Sequence, residues 1–249
     1  MRSVALFVPC YVDQFYPRAA IAALQVLERL HIEVVVPASA ACCGQPLANA
    51  GYERRGTRAL DTFIDTFASY DRIVVLSGSC AMHVRTHAGE HNADGAVVAS
   101  RTTEFCAFLH DEVGLPAVAT LSSTCDMRIG LHIGCHGLRG LGLARASELQ
   151  VPGFNKVRAL LQTVRGVTFA DLQRPDECCG FGGTFSVTEP AISAKMGRDR
   201  LRDYAADAAQ AIVSTDMSCL MHLDGLARRD GVSLPMMHVA EVLNGGIAA

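Results

Sequence analysis

The feature that most constrains this chain is a pattern of cysteines that occurs twice. In each copy a single cysteine is followed by two adjacent cysteines and a glycine, and then by a Cys-x-x-His segment. Adjacent cysteines are poor disulfide partners, because their Cα atoms are closer together than bridge geometry requires. Such an internal repeat predicts two related halves. The patterned cysteines are Cys10, Cys42, Cys43 and Cys80 in the first copy, and Cys135, Cys178, Cys179 and Cys219 in the second.

Short apolar runs come before these cysteines, with helical patterns between them. Continuous β-branched runs such as VALFVP (4–9) are typical of strands buried on both faces of a parallel sheet. The other predicted strands cover 32–37, 72–77, 129–134, 166–171 and 211–215. The predicted helices cover 17–30, 55–69, 155–164 and 188–207, and a further helix begins near the last cysteine of each half. The sequence therefore predicts an α/β fold of two related β-α-β-α-β halves with mainly parallel sheets.

We expect the first repeat to occupy residues 1–100 and the second 128–249, with 101–127 as a connecting segment. Right-handed crossovers bring the C-terminal ends of all strands to one edge of a parallel sheet, and ligands bind in the crevice beyond that edge. Because each patterned cysteine follows a predicted strand, four thiols are expected to converge in each half. The two crevices are expected to face a common interface.

Composition narrows the class of protein. Half of the 249 residues are hydrophobic and 19% are charged, which is typical of a compact globular protein. The net charge of −3 predicts no basic surface for nucleic acid, and no apolar run has the length of a membrane span. The stretch 1–17 lacks the basic region and cleavage site of a signal peptide, so we interpret it as a strand and expect a cytoplasmic protein.

Ten cysteines in such a chain indicate metal binding or redox chemistry rather than a disulfide framework. Thiolates are the usual ligands of iron–sulfur clusters, and adjacent thiolates bind two irons of one cluster more easily than a single tetrahedral zinc ion. We therefore favour an iron–sulfur centre. A zinc-stabilised assembly module and a metal-free thiol–disulfide oxidoreductase remain open as alternatives. The sequence contains no P-loop or dinucleotide fingerprint, so NAD, FAD and ATP are not expected.

The motifs resemble the cysteine-rich CCG domain, which is named for its Cys-Cys-Gly triplet. That domain occurs twice in one subunit of heterodisulfide reductase and in iron–sulfur subunits of glycolate and glycerol-3-phosphate oxidation systems. The chain is most similar to stand-alone two-repeat members from lactate utilization systems, over nearly its whole length. The stretches that carry this resemblance are GCHGLRGLG (134–142), ECCGFGGTFSV (177–187) and STDMSCLMH (214–222).

The resemblance implies an iron–sulfur component of a three-part, NAD-independent route from L-lactate to pyruvate, with other iron–sulfur subunits as partners. It implies that the eight patterned cysteines bind one or two clusters. The full family motif ends each copy with Cys-x-x-Cys, and the extra thiol helps to hold a noncubane cluster. Here His83 and His222 stand at those positions. Because four thiols suffice for an ordinary [4Fe–4S] cluster and imidazole also binds iron, we expect that cluster type and keep both histidines as candidate ligands.

Five further residues lie near the pattern or between the repeats. Arg139 is a candidate for binding a substrate carboxylate, with a surface salt bridge as the alternative interpretation. His132 and His136 flank Cys135, and we expect them to support the site or the core rather than to bind metal. Cys106, within the helical pattern 102–112, is expected to be a small buried hydrophobe. Cys125 is interpreted in the same way, although a loop position also suits a reactive thiol.

Overall fold

The computed structural model describes residues 3–38 and 42–246. Its strands form two four-stranded sheets, and every strand pair within them is parallel. The strands of the first sheet are β1 (Val4–Phe7), β2 (Val34–Val35), β3 (Ile73–Val75) and β4 (Thr102–Glu104). Those of the second sheet are β5 (Arg128–His132), β6 (Thr168–Phe169), β7 (Ala211–Ser214) and β8 (Met236–His238). The order is β2-β1-β3-β4 in the first and β6-β5-β7-β8 in the second. The predicted α/β class with two related halves is confirmed.

Helices connect the strands in both halves. The first half contains α1 (Cys10–Phe15), α2 (Pro17–Arg29), α3 (Gln45–Asn49), α4 (Glu53–Phe67), α5 (Gly78–His91) and α6 (Ala93–Arg101). Between the sheets lie α7 (Phe105–Phe108), a π-helical turn (Leu109–Val113) and α8 (Leu115–Ala119). The second half contains a π-helical turn (His136–Gly140), a 3₁₀ turn (Ser147–Leu149), α9 (Lys156–Leu161), α10 (Phe185–Thr188), α11 (Pro190–Ala206), α12 (Met217–Arg229) and α13 (Val239–Leu243).

Each half has a fourth strand that the sequence analysis did not assign. The predicted helical pattern 102–112 is wrong at its start, because Thr102–Glu104 extends the first sheet by pairing with β3. Threonine is β-branched and suits a strand, but three residues are too few to produce a recognisable period. The strand β8 is equally short. The stretch 101–127 therefore contributes an edge strand to the first sheet as well as a connection.

A continuous hydrophobic core joins the two halves. The helix α2 buries Ala19, Ala22, Ala23, Val26 and Leu27, which recur at the spacing of one helical face. Full burial of an aliphatic side chain such as Leu27 contributes about 1.5–3 kcal/mol. At the end of α2, Arg29 donates hydrogen bonds to the Leu121 carbonyl (2.5 Å) and to Asn244 Oδ1 (2.9 Å). The first repeat is thus anchored to the segment that follows α13 in the second.

The opposite face of the first sheet has an aromatic core. Phe7 contacts Phe63 edge-on with ring centroids 4.9 Å apart, and Phe67 in the same way at 5.8 Å. All three rings are fully buried. The helix that supplies Phe63 and Phe67 is α4, which confirms the predicted helical pattern 55–69 with an earlier start. Within the described residues, the helices are all too short or too polar to cross a bilayer.

We expect Glu104, which is 1% exposed at the end of β4, to make stability depend on pH. Its Oε2 accepts a hydrogen bond from the Ala107 N–H (2.9 Å), and hydrogen bonds from Cys106 offset only part of the effect of burial. Burial raises the pKa of Glu104 to about 8. The folded protein therefore keeps a proton that the unfolded chain releases near its ordinary pKa of 4.5, so stability is lost as the pH rises towards 8.

The Glu104→Gln variant keeps the capping oxygen and cannot ionise. Relative to this variant, the wild-type protein should lose up to about 1.4 kcal/mol of unfolding free energy per pH unit in that window. Urea unfolding of both proteins at pH 5.5 and pH 8 measures the difference. If both proteins had the same pH dependence, the carboxyl group would not be buried in its neutral form.

Candidate metal centre

The patterned cysteines lie at the C-terminal edges of the two sheets. In the first half, Cys10 follows β1 and begins α1, whereas Cys80 follows β3 in the first turn of α5. Cys42 and Cys43 follow β2 and come before α3. In the second half, Cys135 comes just before the π-helical turn 136–140, Cys219 lies in the first turn of α12, and Cys178 and Cys179 follow β6.

The structure brings the four thiols of the first half into one chain of contacts. Cys42 accepts a hydrogen bond from Cys10 and another from Cys43. The Cys43 Sγ and Cys80 Sγ atoms are 3.3 Å apart. Cys43 and Cys80 are buried, whereas Cys42 is half-buried and Cys10 is exposed. The predicted convergence of strand ends therefore gives one compact group of sulfur atoms, buried on one side and open to solvent on the other.

The second half repeats this arrangement residue for residue. Cys178 accepts hydrogen bonds from Cys135 and Cys179, and Cys179 in turn contacts Cys219. Cys179 and Cys219 are buried, and the other two are half-buried. All ten cysteines of the chain are free thiols in the structure. The geometry of the two groups follows the sequence repeat, while their role as metal ligands stays a prediction.

The glycine after each cysteine pair is required by the backbone. Gly44 and Gly180 have φ angles of 91° and 87°, in the left-handed region that favours glycine. A Cβ on Gly180 would also lie 2.6 Å from the Ser193 carbonyl oxygen. This turn directs the Gly44 N–H at Cys42 Sγ and the Gly180 N–H at Cys178 Sγ, each at 3.4 Å. The Cys-Cys-Gly triplet thus places an amide donor against one sulfur of each group.

Hydrogen bonding makes one thiol of each group acidic. The pKa of Cys42 lies well below its usual range. The hydrogen bond from Cys10 lowers it most, followed by the hydrogen bonds from Cys43 and from the Gly44 N–H. The equivalent bonds from Cys135, Cys179 and Gly180 lower the pKa of Cys178. A thiolate is the form of cysteine that binds metal. Each group therefore contains one sulfur that is ready to ligate.

The thiol groups fit a metal centre. Two thiolates on one tetrahedral ion with 2.3 Å bonds lie about 3.8 Å apart, so Cys43 and Cys80 are close enough to bind one ion or adjacent irons. Four soft sulfur donors in one place are the ligand set of iron–sulfur clusters or zinc.

The two histidines predicted as possible ligands have different surroundings. His83 is buried, and its ring contacts that of His87 with centroids 4.4 Å apart and the planes inclined by 40°. Burial lowers the pKa of His83 to about 4. His222 Nε2 lies 3.4 Å from both the hydroxyl and the carbonyl oxygen of Ser193. Among the described residues, no hydrogen bond joins either imidazole to a patterned sulfur. Their role as ligands also stays a prediction.

The remaining predicted residues lie around the thiol groups or in the core. Arg139 Nε donates to Glu148 Oε1 at 2.8 Å on the surface, which is the salt bridge that the sequence analysis gave as the alternative. His136 Nδ1 is 3.8 Å from Cys135 Sγ. Cys106 is fully buried on α7, as expected for a small hydrophobe, and Cys125 is 7% exposed.

Sequence analysis gave no role to Asp216, which joins the two halves between the thiol groups. Its Oδ1 accepts from the Tyr11 hydroxyl (3.0 Å), and its Oδ2 accepts from the Ser79 N–H (2.8 Å) and the Ser77 hydroxyl (3.2 Å). Those three residues belong to the first half. The Ser218 hydroxyl of the second half donates to Oδ1 at 2.7 Å. One buried carboxylate therefore receives donors from both repeats.

Asp216 and Ser77 occupy equivalent places, three residues before Cys219 and Cys80. Each caps the helix that carries that cysteine, since the Ser77 hydroxyl accepts from the Cys80 N–H and Asp216 accepts from the Ser218 N–H. Burial alone would raise the pKa of Asp216, but hydrogen bonds from Ser218, Ser79 and Tyr11 outweigh it and hold the pKa below the usual value. The signal available in the sequence was a capping residue at the same distance before each cysteine.

We expect the Asp216→Asn variant to lose about 2–4 kcal/mol of unfolding free energy. Both oxygens of Asp216 accept hydrogen bonds, so the NH₂ group of an asparagine would face N–H or O–H groups that can only donate to it. Each hydrogen bond to a charged group is worth about 1.5–3 kcal/mol. Asp224→Asn is the matched control, because it removes only an exposed i,i+4 pair with Arg228, worth less than about 1 kcal/mol. Urea unfolding of both variants gives the comparison. Equal midpoints would contradict a central role for Asp216.

Comparison with known proteins identifies relatives of this chain. The CCG family, described as a cysteine-rich domain, matches residues 4–85 and 129–224, which contain all eight patterned cysteines. The chain is 33% identical to Lactate utilization protein A of Oceanobacillus iheyensis, over 98% of this chain and 99% of the relative. It is 37% identical to the protein of the same name from Bacillus cereus (strain B4264), over 97% and 98%. The Bacillus thuringiensis protein is 36% identical over the same shares.

Proposed function

Because this chain belongs to the family of proteins built from the CCG cysteine-rich domain, we propose that it is an iron–sulfur electron-transfer component of lactate utilization. The reaction it serves is the NAD-independent oxidation of L-lactate to pyruvate. The observation that carries the proposal is the contact of four thiols at equivalent strand ends in each half. The name of the relatives, Lactate utilization protein A, supports the substrate.

Each thiol group would hold one [4Fe–4S] cluster, which accepts and passes on single electrons when bound. The first would use Cys10, Cys42, Cys43 and Cys80, and the second Cys135, Cys178, Cys179 and Cys219. The chain itself sets the surroundings of these sulfurs. Amide donors such as the Gly44 N–H stabilise negative charge on sulfur, and the burial of Cys43 and Cys80 keeps water away from those two sulfurs. Both effects influence the reduction potential of a bound cluster.

Oxidation of L-lactate to pyruvate releases two electrons and two protons. We assign to this chain the transfer of the electrons in single steps, and to another iron–sulfur protein of the same system their delivery or acceptance. The expected location of such a component is the cytoplasm. Arg139 is a weak candidate for the substrate carboxylate, because its guanidinium is engaged by Glu148.

A second candidate function rests on the short distance between Cys43 Sγ and Cys80 Sγ. Two thiols at 3.3 Å can form a disulfide with little movement while a substrate disulfide is reduced to two thiols, which is the chemistry of a metal-free thiol–disulfide oxidoreductase. A zinc-stabilised assembly module is the third candidate, because the same sulfurs suit zinc. Metal and sulfide analysis separates the three.

We expect the anaerobically purified protein to be brown and to contain iron with acid-labile sulfide. Replacing either Cys178 or Cys179 with Ser should remove the iron of the second half, about half of the total if both halves are loaded, because both sulfurs are needed as ligands. The far-UV circular dichroism should be unchanged, since the pair lies beyond the strand ends. Cys106→Ala is the control, because it removes a thiol that is buried away from the pattern.

The result that contradicts iron–sulfur ligation is full iron and sulfide in both serine variants. Stoichiometric zinc without sulfide in the wild-type protein would instead favour the assembly module. Protein that contains neither metal, and whose thiols cycle between reduced and disulfide forms, would favour the dithiol enzyme.

We also expect the isolated chain to oxidise L-lactate poorly, because we assign it electron transfer and expect no bound flavin or nicotinamide. Lactate-dependent reduction of an artificial dye should rise at least tenfold when the chain is mixed with the other iron–sulfur subunits of its own system. A rate for the chain alone that equals the rate of the mixture would show that no partner is needed. The same dye assay with the iron-loaded Asp216→Asn variant, compared with the wild type, measures whether the interface between the halves affects electron transfer.

A further inference from the structure

His132 is a buried side chain whose two polar atoms have no partner among the described residues. It is the last residue of β5 and only 1% exposed. Neither Nδ1 nor Nε2 has a hydrogen-bond partner in the described part of the chain. Buried polar groups are almost always hydrogen-bonded, and an unpaired one costs about 1–3 kcal/mol. The protein groups around the ring therefore do not explain why a histidine stands here.

The neighbours of His132 use their polar atoms elsewhere. The Arg200 guanidinium donates to Tyr204 Oη, Asp203 Oδ2 and the Arg174 carbonyl. Ser214, which pairs with His132 across β7, uses its hydroxyl to accept from the Asp216 N–H at 3.1 Å. Both residues are fully buried, and neither donates a hydrogen bond to the ring of His132.

The first half shows that the fold does not require this imidazole. The residue at the equivalent position is Phe7, which likewise lies three residues before the first cysteine of its repeat and at the end of the first strand. Phe7 is opposite Val75 in the sheet, as His132 is opposite Ser214. Its ring is packed among hydrocarbon neighbours. The two thiol groups therefore differ in one neighbouring side chain, which is a histidine in the second repeat and a phenylalanine in the first.

Two sulfur atoms of the second half lie close to the imidazole ring of His132. One nitrogen of His132 and the Sγ atoms of Cys179 and Cys219 all lie within 4.8 Å of one another, and all three residues are buried. Donors on one tetrahedral ion with bonds of 2.0–2.3 Å are about 3.4–3.8 Å apart. The three atoms are therefore close enough to bind neighbouring irons of one cluster, or, after a small adjustment of the side chains, a single ion such as Co²⁺.

We propose that His132 is a nitrogen ligand of the metal centre in the second half, where its imidazole takes the place of one of the four thiols, so that the two centres of this chain differ in ligation. The sequence analysis gave His132 a supporting or core role, and the orphaned ring beside two thiols changes that interpretation. The proposal rests on the proposed function for the identity of the metal as iron. His222, the histidine that the sequence favoured in this half, has its Nε2 beside Ser193 instead.

The test uses the whole chain, prepared anaerobically with iron and sulfide, as wild type, His132→Gln, His132→Phe and His222→Gln. His132→Phe introduces the residue that the first repeat carries at this position, so it should fold. Pulsed electron paramagnetic resonance of the reduced proteins measures the hyperfine coupling of nitrogen to the cluster. Growth with ¹⁵N-histidine identifies imidazole nitrogen as its source, and iron content and circular dichroism are recorded for each variant.

We expect the wild type to show the coupling of a directly bound imidazole, which changes on ¹⁵N labelling. The coupling should disappear in both His132 variants and remain in His222→Gln. The inference is overturned if iron-loaded wild type lacks the coupling, if both His132 variants retain it, or if it disappears in His222→Gln alone.

A second arm separates this inference from the proposed function. Co²⁺ alone is added to metal-free wild type and to both His132 variants, and thiolate charge-transfer absorption reports binding. Loss of His132 should weaken Co²⁺ binding at the second centre by roughly tenfold or more, since even groups behind the ligands contribute 10–100-fold. If the wild type holds no iron and sulfide, the proposed function fails, whereas a His132-dependent Co²⁺ site still supports the ligand. Co²⁺ binding that does not depend on His132 overturns the inference.

Discussion

The carboxylate of Asp216 is the interaction on which the relation between the two halves depends. It is buried at the junction of the repeats and accepts hydrogen bonds from Tyr11, Ser77 and Ser79 of the first half. A buried charge is tolerable only when its lone pairs are satisfied. Because the donors come from both sides, the repeats can pack in only one relative position without leaving that charge unpaired. The same residue caps the helix that carries Cys219, so the packing of the halves and the position of that thiol are set together.

Around this junction the repeats have kept their backbone and changed their side chains. The sheet order, the cysteine contacts and the positive φ of the glycine after each pair are the same in both. The support beneath the thiols is different: Phe7 and Phe63 form an apolar layer in the first half, whereas His132 and Arg200 form a polar one in the second. Thiolates over hydrocarbon and thiolates over polar groups have different electrostatic surroundings. If both groups hold clusters as proposed, this difference would give them unequal reduction potentials.

The sequence predicted the features that depend on local pattern. Apolar runs located the longer strands, and the repeat placed four thiols at the strand ends of each half, where the structure has them in contact. The edge strands β4 and β8 were missed because three residues, such as Thr102–Glu104, show no period. The role of Asp216 was missed because it depends on a hydrogen bond from Tyr11, which is 205 positions away in the chain. The importance of His132 could not be seen either, since an unpaired imidazole looks the same in a sequence as a paired one.

The thiol groups also determine how metal binding and folding are connected. Four thiolates cannot lie in contact without compensating positive charge. The hydrogen bonds from Cys10 and Cys43 lower the pKa of Cys42, whereas the hydrogen bond that Cys43 donates to Cys42, its contact with Cys80 and burial raise the pKa of Cys43. Within each pair of adjacent cysteines, the second thiol therefore keeps its proton while the first ionises. Loading a cluster must displace those protons, so metal affinity should increase with pH while the sheet edges stay as they are. The strands and the Asp216 junction place the sulfurs at one edge of each sheet, which reduces the ordering that ligand binding has to supply.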